Sequence, residues 1–284
     1  MSCTMDERTK QRILGLFGRS MNDLNADVQL VKNWLCKQNH IPEIPSKHMI
    51  EYFIVSNRFS IETTKERLSM YYNIRKLFPS AFQAINPKTN RMKMACSAQY
   101  VLPLPKLVDG LYRVIIVGLK EGKSDKFDAD CMMGNVLNVY EIRMQEDLTY
   151  EDVLILDYQN LHLTHVIRTT PRHAQMVKLL LEKVYNNRLK EIHIINHSIL
   201  FNLLFKLAQP LISQNLHKKI HFHDSLSSLL AYIPLDVLPK DYGGNEKSVE
   251  ELEEMWKGKM KKYQHRFDEL DELTINVTRQ KQFN

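Results

Sequence analysis

Apolar positions change period part-way along the chain. From residue 6 to about 90 they recur at helical spacing. Leu30, Val31, Trp34 and Leu35 form one stripe, ended near Pro42 and Pro45, and Leu68, Tyr71, Tyr72 and Arg75 belong to a later helix that stops at Phe78-Pro79. The turn cluster from Asn86 to Asn90 (NPKTN) marks the expected lobe boundary. Beyond it, short β-rich runs occur at Tyr112–Leu119, Val153–Tyr158, Ile192–Asn196 and Lys219–His223, separated by helix-length segments near 130–146, 171–187 and 199–213. That alternation predicts a mixed α/β fold with a mostly parallel sheet and helical crossovers. Gly243-Gly244 closes this lobe, and Ser248-Val-Glu-Glu251 is a capping-box signature for a last helix, with Lys257 to Lys262 near its other end. The expected division is a helical lobe at 1–92, an α/β lobe at 93–244, and a C-terminal helix and tail at 245–284.

Charge sharpens one region of this pattern. The formal net charge is +6, and between Lys183 and His223 six Lys or Arg residues face a single acid, Glu191. The same stretch holds the most apolar helix of the chain. A pI near 9.0 admits phosphate-bearing partners in general, but no finger, RNP-type aromatic motif or basic helix supports nucleic acid. The greasy run from Ile192 to Ile212 is broken by His193, Asn196, His197, Asn202, Lys206 and Gln209, which makes a poor membrane span. Cys3, Cys36, Cys96 and Cys131 lie far apart, as suits reduced thiols. The start, MSCTMDERTK, has no apolar run, so no secretory signal is expected. These features point to a cytoplasmic protein whose membrane contact would be peripheral.

Catalytic signatures are missing from the sequence: there is no G-x-G-x-x-G, phosphate loop, G-x-S-x-G elbow or H-E-x-x-H. His221 and His223 alternate on one strand and share a face, a pattern open to two metal ligands but read here as a polar lobe surface. His162 and His165 have helix-type metal spacing yet fall in what reads as a loop before Pro171. No enzyme activity, metal or cofactor is expected. What the chain does offer is strands with one apolar face: Leu154 and Leu156 share a face of their strand, Ile192 and Ile194 a face of theirs. An apolar stripe on a βα fold is ordinarily plain core.

The segments YNNRLKEIHIIN, LAQP, KKIHFHDSLSSL and LPKDYGG, together with LILDYQNLHLTHVIRTTP and IEYFIVSNRFSIETTKERLSMYYNIRKLFPSAF, resemble the CRAL-TRIO domain of lipid-transfer proteins over roughly residues 25 to 260. Within that family the likeness is to the vitamin E and retinaldehyde carriers. The resemblance implies a small hydrophobic ligand under a movable lid. It puts Leu154, Leu156, Ile192 and Ile194 in the pocket and Val177, Leu180, Leu181, Tyr185 and Leu189 along its wall. Cys131, Gly134 and Asn138 would join from an earlier helix, with Gly134 leaving space and Asn138 available to a polar head. The lid would be Ser198 to Ile212, with Phe201, Leu204, Phe205, Ala208 and Ile212 facing inward. Asp157 stands where the family carries a structural, non-catalytic acid.

The resemblance also places Arg188, Lys190 and Lys219, with His217 and Lys218 nearby, where a phosphoinositide or another anionic lipid would bind. The chain departs from the family at Tyr52, Val55 and Asn57, where an arginine-rich run is usual, at Asn186, and at Ser198, which replaces a proline at the lid entrance and so softens the expected hinge. Asn187, Thr169 and Asn138 make the expected wall more polar, which suits an oxygenated ligand of the retinoid, carotenoid, sterol, terpenoid or tocopherol classes. Five histidines fall in the lid region (His193, His197, His217, His221, His223), and some of them are expected to gain charge at an acidic membrane surface. The reading is thus a monomeric, non-enzymatic carrier; the alternatives are a lipid-regulated interaction module and an enzyme of lipid or terpenoid metabolism.

Overall fold

A computed structural model describes residues 7–78, 82, 85–185 and 189–282, excluding the side chains of Leu211 and residues 274–282. Four helices come first: α1 (Glu7–Leu16), α2 (Met21–Leu35), α3 (Lys47–Ser56) and α4 (Ile61–Leu77). Short polar residues start them. Ser20, Ser46 and Ser60 each accept a hydrogen bond from a backbone N–H three residues on, and Ser20 with Asp23 forms a full capping box. The buried stripe of α2 is Leu24, Val28, Val31 and Leu35, so Leu30, expected inside, lies at the surface. The Asn86–Asn90 turn leads into α5 (Asn90–Cys96), capped by Thr89.

Five strands follow in chain order across one sheet: β1 (Gln99–Val108), β2 (Tyr112–Leu119), β3 (Glu151–Asp157), β4 (Leu189–Ile195) and β5 (Ile220–His223). The first pair is antiparallel and the remaining three pairings are parallel. Between β2 and β3 lies α6 (Ala129–Glu146). Between β3 and β4 lie α7 (Leu163–Arg168) and α8 (Pro171–Leu179), the latter extended by a π-turn at Leu180–Val184. Between β4 and β5 lie α9 (Ile199–Ala208) and α10 (Gln214–His217). Because each strand is added beside its predecessor and parallel crossovers are right-handed, these helices gather on one face of the sheet. The segment after β5, with α11 (Leu226–Leu229), α12 (Val249–Lys262) and α13 (Gln264–Gln282), continues the chain. Tyr242 of this segment reaches the other face and donates to Asp157, whereas Trp256 of α12 packs beside α6 and donates to the Pro103 carbonyl at the β1 edge.

The register assigns every strand residue to a face. Gln99, Val101, Ile115, Val117, Leu119, Leu154, Leu156, Ile192, Ile194, Ile220 and Phe222 point to the crossover helices. Tyr100, Gly118, Ile155, Asp157, His193, Ile195, His221 and His223 point the other way. Gly118 is required there, since a Cβ would sit 2.3 Å from the Tyr100 ring that crosses it. Two polar networks lock the layers. Arg143 grips Asp152 with two hydrogen bonds and also reaches Asp147, which a second two-pronged contact ties to Arg113, all fully buried. Arg266 of α13 bridges Glu43, in the loop between α2 and α3, and Glu141 of α6, fastening the C-terminal helix to both.

Candidate ligand site and its outer face

A central strand of a parallel sheet is normally buried on both faces. Here β3 is not. Val153 and Ile155 are 3% and 0% exposed, whereas Leu154 and Leu156, on the crossover face, are only half-buried. They border a second apolar cluster, distinct from the main core, that contains Leu119, Phe127, Leu161, Leu189, Ile192, Ile194 and Phe201, with Met132, Tyr158, Leu181, Leu204, Phe205 and Ile220 packed against it. The floor is the sheet, and the roof is α9. The roof residues recur at helical spacing: Phe201, Leu204 and Phe205 turn inward, with Phe201 stacked on Phe205 at 5.5 Å and tilted against Tyr158 at 4.8 Å.

The structure therefore brings together Leu154, Leu156, Leu181, Leu189, Ile192, Ile194, Phe201, Leu204 and Phe205. Ala208 and Ile212 are half-buried further along the same segment, and Val177 is half-buried on α8, which packs against both α6 and α9. The remaining expected wall residues lie elsewhere. Leu180 and Tyr185 sit in the main core, Tyr185 stacked on Tyr140 at 4.9 Å. Cys131 packs with Met92 and Ala95 under α5, where burial pushes its thiol up to about 12. Gly134 does leave space, but for Ile85, whose side chain would lie 2.6 Å from an added Cβ. Asn138 donates to the Ile85 carbonyl at 2.7 Å, so its amide is spent on the protein. Thr169 likewise donates to the carbonyl of His165. Asn187 lies outside the described residues.

The outer surface of the roof is apolar too. Ile199 and Leu203, one turn apart on α9, are 83% and 44% exposed, and Leu163 and Ile167, one turn apart on the adjoining α7, are 54% and 71% exposed. The α7 pair was hidden in the sequence, because this segment reads as a loop; in the structure it is a helix. Among the expected cationic residues, Lys190 holds its ammonium 4.2 Å from the Tyr112 ring centre, and Lys219 donates to the Leu189 carbonyl. His217 and Lys218 are exposed beside them. Arg188 lies outside the described residues.

Asp157 ends β3 with three donors on its carboxylate: the backbone N–H of Gln159, the Asn196 side-chain amide and the Tyr242 hydroxyl. The carboxylate is thus bonded wholly within the protein, and Asn196 is the residue through which β4 passes toward α9. Ser198 at the start of α9 supplies no side-chain cap.

Comparison with known proteins bears on this architecture. The CRAL/TRIO domain model matches residues 96–244, which is half of the chain and spans the whole sheet with its crossovers. The chain belongs to the CRAL-TRIO family. A Pinta-like, UBA domain model matches residues 20–92. The alpha-tocopherol transfer protein-like proteins of Homo sapiens and Mus musculus are 24% and 23% identical over 196 and 195 residues, each covering 68% of this chain and 56% of the relative. The chain thus spans about half the length of the curated relatives it matches. A solved structure, that of Sfh5, covers 87% of this chain and 92% of its own at 12% identity and a TM-score of 0.49.

Within this CRAL-TRIO domain the histidines depart from expectation. His223 is not on a polar surface: it is 5% exposed, bonded at 2.9 Å to fully buried His193 and at 2.7 Å to Ser228. Burial pushes His193 down to about 3, with His223, His221 and Lys190 adding to the effect, and lowers His223 as well. Two of the five lid-region histidines, among which some were expected to gain charge, are therefore held neutral. No group of three or more metal-ligating side chains is assembled among the described residues, and no described helix is long and apolar enough to cross a membrane.

Proposed function

We propose that this CRAL-TRIO chain is a non-enzymatic carrier that holds one small hydrophobic molecule between its sheet and α9 and exchanges it at anionic membranes. The observation that carries the reading is the half-buried face of β3. Leu154 and Leu156 sit mid-sheet beneath a roof helix that is apolar on both sides. A long apolar molecule leaving a bilayer for water loses about 0.8 kcal/mol per CH₂, so ten such groups oppose spontaneous transfer by about 8 kcal/mol. A cleft with apolar walls lowers that barrier, and a roof with Leu163, Ile167, Ile199 and Leu203 outside can enter the acyl boundary while it opens.

Lys190, Lys218, Lys219 and His217, with Arg188, would meet lipid phosphates near the far end of α9, a phosphoinositide among them. The lobe at 1–92 and the helix at 245–284 would serve as a fixed frame for the lipid-binding lobe at 93–244, working as a monomer at the cytoplasmic side of the membrane. Similarity to alpha-tocopherol transfer protein-like proteins favours a ligand of the size and polarity of tocopherol. Fluorescence transfer of retinol between phosphatidylcholine vesicles and vesicles containing phosphatidylserine tests this. Acceleration that saturates with protein and rises with anionic lipid supports the proposal; transfer no faster than the protein-free rate refutes it.

A further inference from the structure

Helix α7 is amphipathic in an inverted sense. Its apolar pair, Leu163 and Ile167, faces solvent, while His165, about 200° around the helix from Leu163, is 2% exposed and the only residue of the helix that is buried. Its Nδ1 accepts the backbone N–H of His162 at 2.9 Å. The proton of the neutral ring therefore sits on Nε2, and burial holds the ring below the ordinary histidine range. That Nε2 is buried and has no hydrogen-bond partner. A donor left unmet in this way works against the fold unless something arrives to accept from it.

The surroundings indicate what would arrive. The ring stands edge-on to Phe127 at 4.7 Å, and Phe127 belongs to the apolar cluster of the cleft together with Leu119, Leu161 and Phe201. Arg168 pins α7 there by donating to the Asp125 and Phe127 carbonyls, and α7 packs against α9. A second orphan lies on the same side. Gln99 pairs with Leu119 across β1 and β2, so its side chain stands on the cleft face; it is 1% exposed and neither amide atom has a partner. By contrast, the polar groups expected to greet a ligand, Asn138 and Thr169, are bonded within the protein.

We infer that His165, beside Phe127 at the edge of the apolar cluster, receives the polar head of the cargo, a neutral hydroxyl or carbonyl group whose oxygen accepts from Nε2–H; Gln99, on the same side of the sheet, is a second buried amide left for polar atoms of the cargo. This inference rests on the carrier reading. It specifies an oxygenated terpenoid-like molecule and disfavours both a pure hydrocarbon, which would leave the buried His165 N–H unmet, and a charged head group, for which the neutral ring supplies no counter-charge.

The test compares retinol with its deoxy hydrocarbon, the same polyene without the oxygen, in fluorescence titrations of wild type, His165→Phe and Gln99→Leu. Wild type is expected to prefer retinol by about tenfold, and His165→Phe to abolish most of that preference by weakening retinol while leaving the hydrocarbon unchanged. A preference that survives His165→Phe overturns the inference and leaves the carrier reading standing. Failure of wild type to bind either polyene overturns the carrier reading and this inference with it. If His165→Phe does not fold, nitrogen-15 NMR of wild type decides: the His165 Nε2–H proton moves downfield with retinol and not with the hydrocarbon, and an unmoved resonance overturns the assignment.

Discussion

Asn196 donates its side-chain amide to Asp157 Oδ1 at 2.9 Å, tying the exit of β4 to the end of β3 immediately before the roof helix begins. Asn196 holds φ at 53°, in the left-handed region that Asn tolerates and Gly occupies freely. Asn196→Gly therefore keeps the backbone and removes the tie. Hydrogen exchange of residues 196–202 is expected to quicken by about tenfold or more, as loss of a bond to a charged acceptor is worth about 1.5–3 kcal/mol, while β3 is unchanged. In wild type the same residues, entered through an uncapped Ser198, should already exchange faster than β4. Protection equal to that of the core would show the entry hinge to be rigid.

The outward pairs on α7 and α9 predict a separation of stability from membrane binding. Ile167 and Ile199 are 71% and 83% exposed, so Ile167→Ser and Ile199→Ser should change unfolding free energy by no more than about 0.5 kcal/mol. Inserting such a side chain into the acyl boundary is worth about 1.5–3 kcal/mol, so each change should weaken sedimentation with anionic vesicles by tenfold or more. Unaltered sedimentation of the double variant would place the membrane contact elsewhere.

Arg143 joins α6 to β3 with both partners buried. Arg143→Leu leaves Asp152 without its counter-charge, while Asp147 keeps Arg113, and is expected to cost about 3–5 kcal/mol in urea unfolding. A cost below about 1 kcal/mol would mean that the network relaxes to reach water.

The His193–His223 pair sets a pH dependence of opposite sense to a membrane-triggered charge. A base whose folded pKa lies below its unfolded value binds more protons when unfolded, so acid destabilises. The contribution of His193 is intact above about pH 6.5 and is lost progressively toward about 3, by up to about 1.4 kcal/mol per pH unit. His223 acts in the same direction. Stability should fall between pH 6.5 and 5, above the range where most carboxylates titrate. A flat profile across that window would show that these rings are not held neutral.

Much of the architecture was legible in the sequence because period and burial agree there. The strand at Tyr112–Leu119 is a β-branched apolar run buried on both faces, the roof residues Phe201, Leu204 and Phe205 recur at helical spacing, and Ser248 with Glu251 forms the expected cap. β1 was hidden by Pro103 and Pro105, which disguise an edge strand whose register shifts between Pro103 and Leu107. The wall positions on α6 were obscure for another reason. From Leu137 to Met144 every residue is buried, so no apolar stripe says which side meets the cleft, and Cys131, Gly134 and Asn138 turn toward α5 and Ile85. α7 went unseen because its apolar residues face outward and its one buried residue is a histidine.

Native mass spectrometry of the protein purified from its own tissue, with organic extraction of the same sample, reads out directly what the chain carries. One hydrophobic molecule per chain is expected, carrying a hydroxyl or carbonyl oxygen. A chain that emerges empty and takes up no member of a retinoid, tocopherol, sterol and carotenoid panel would contradict it.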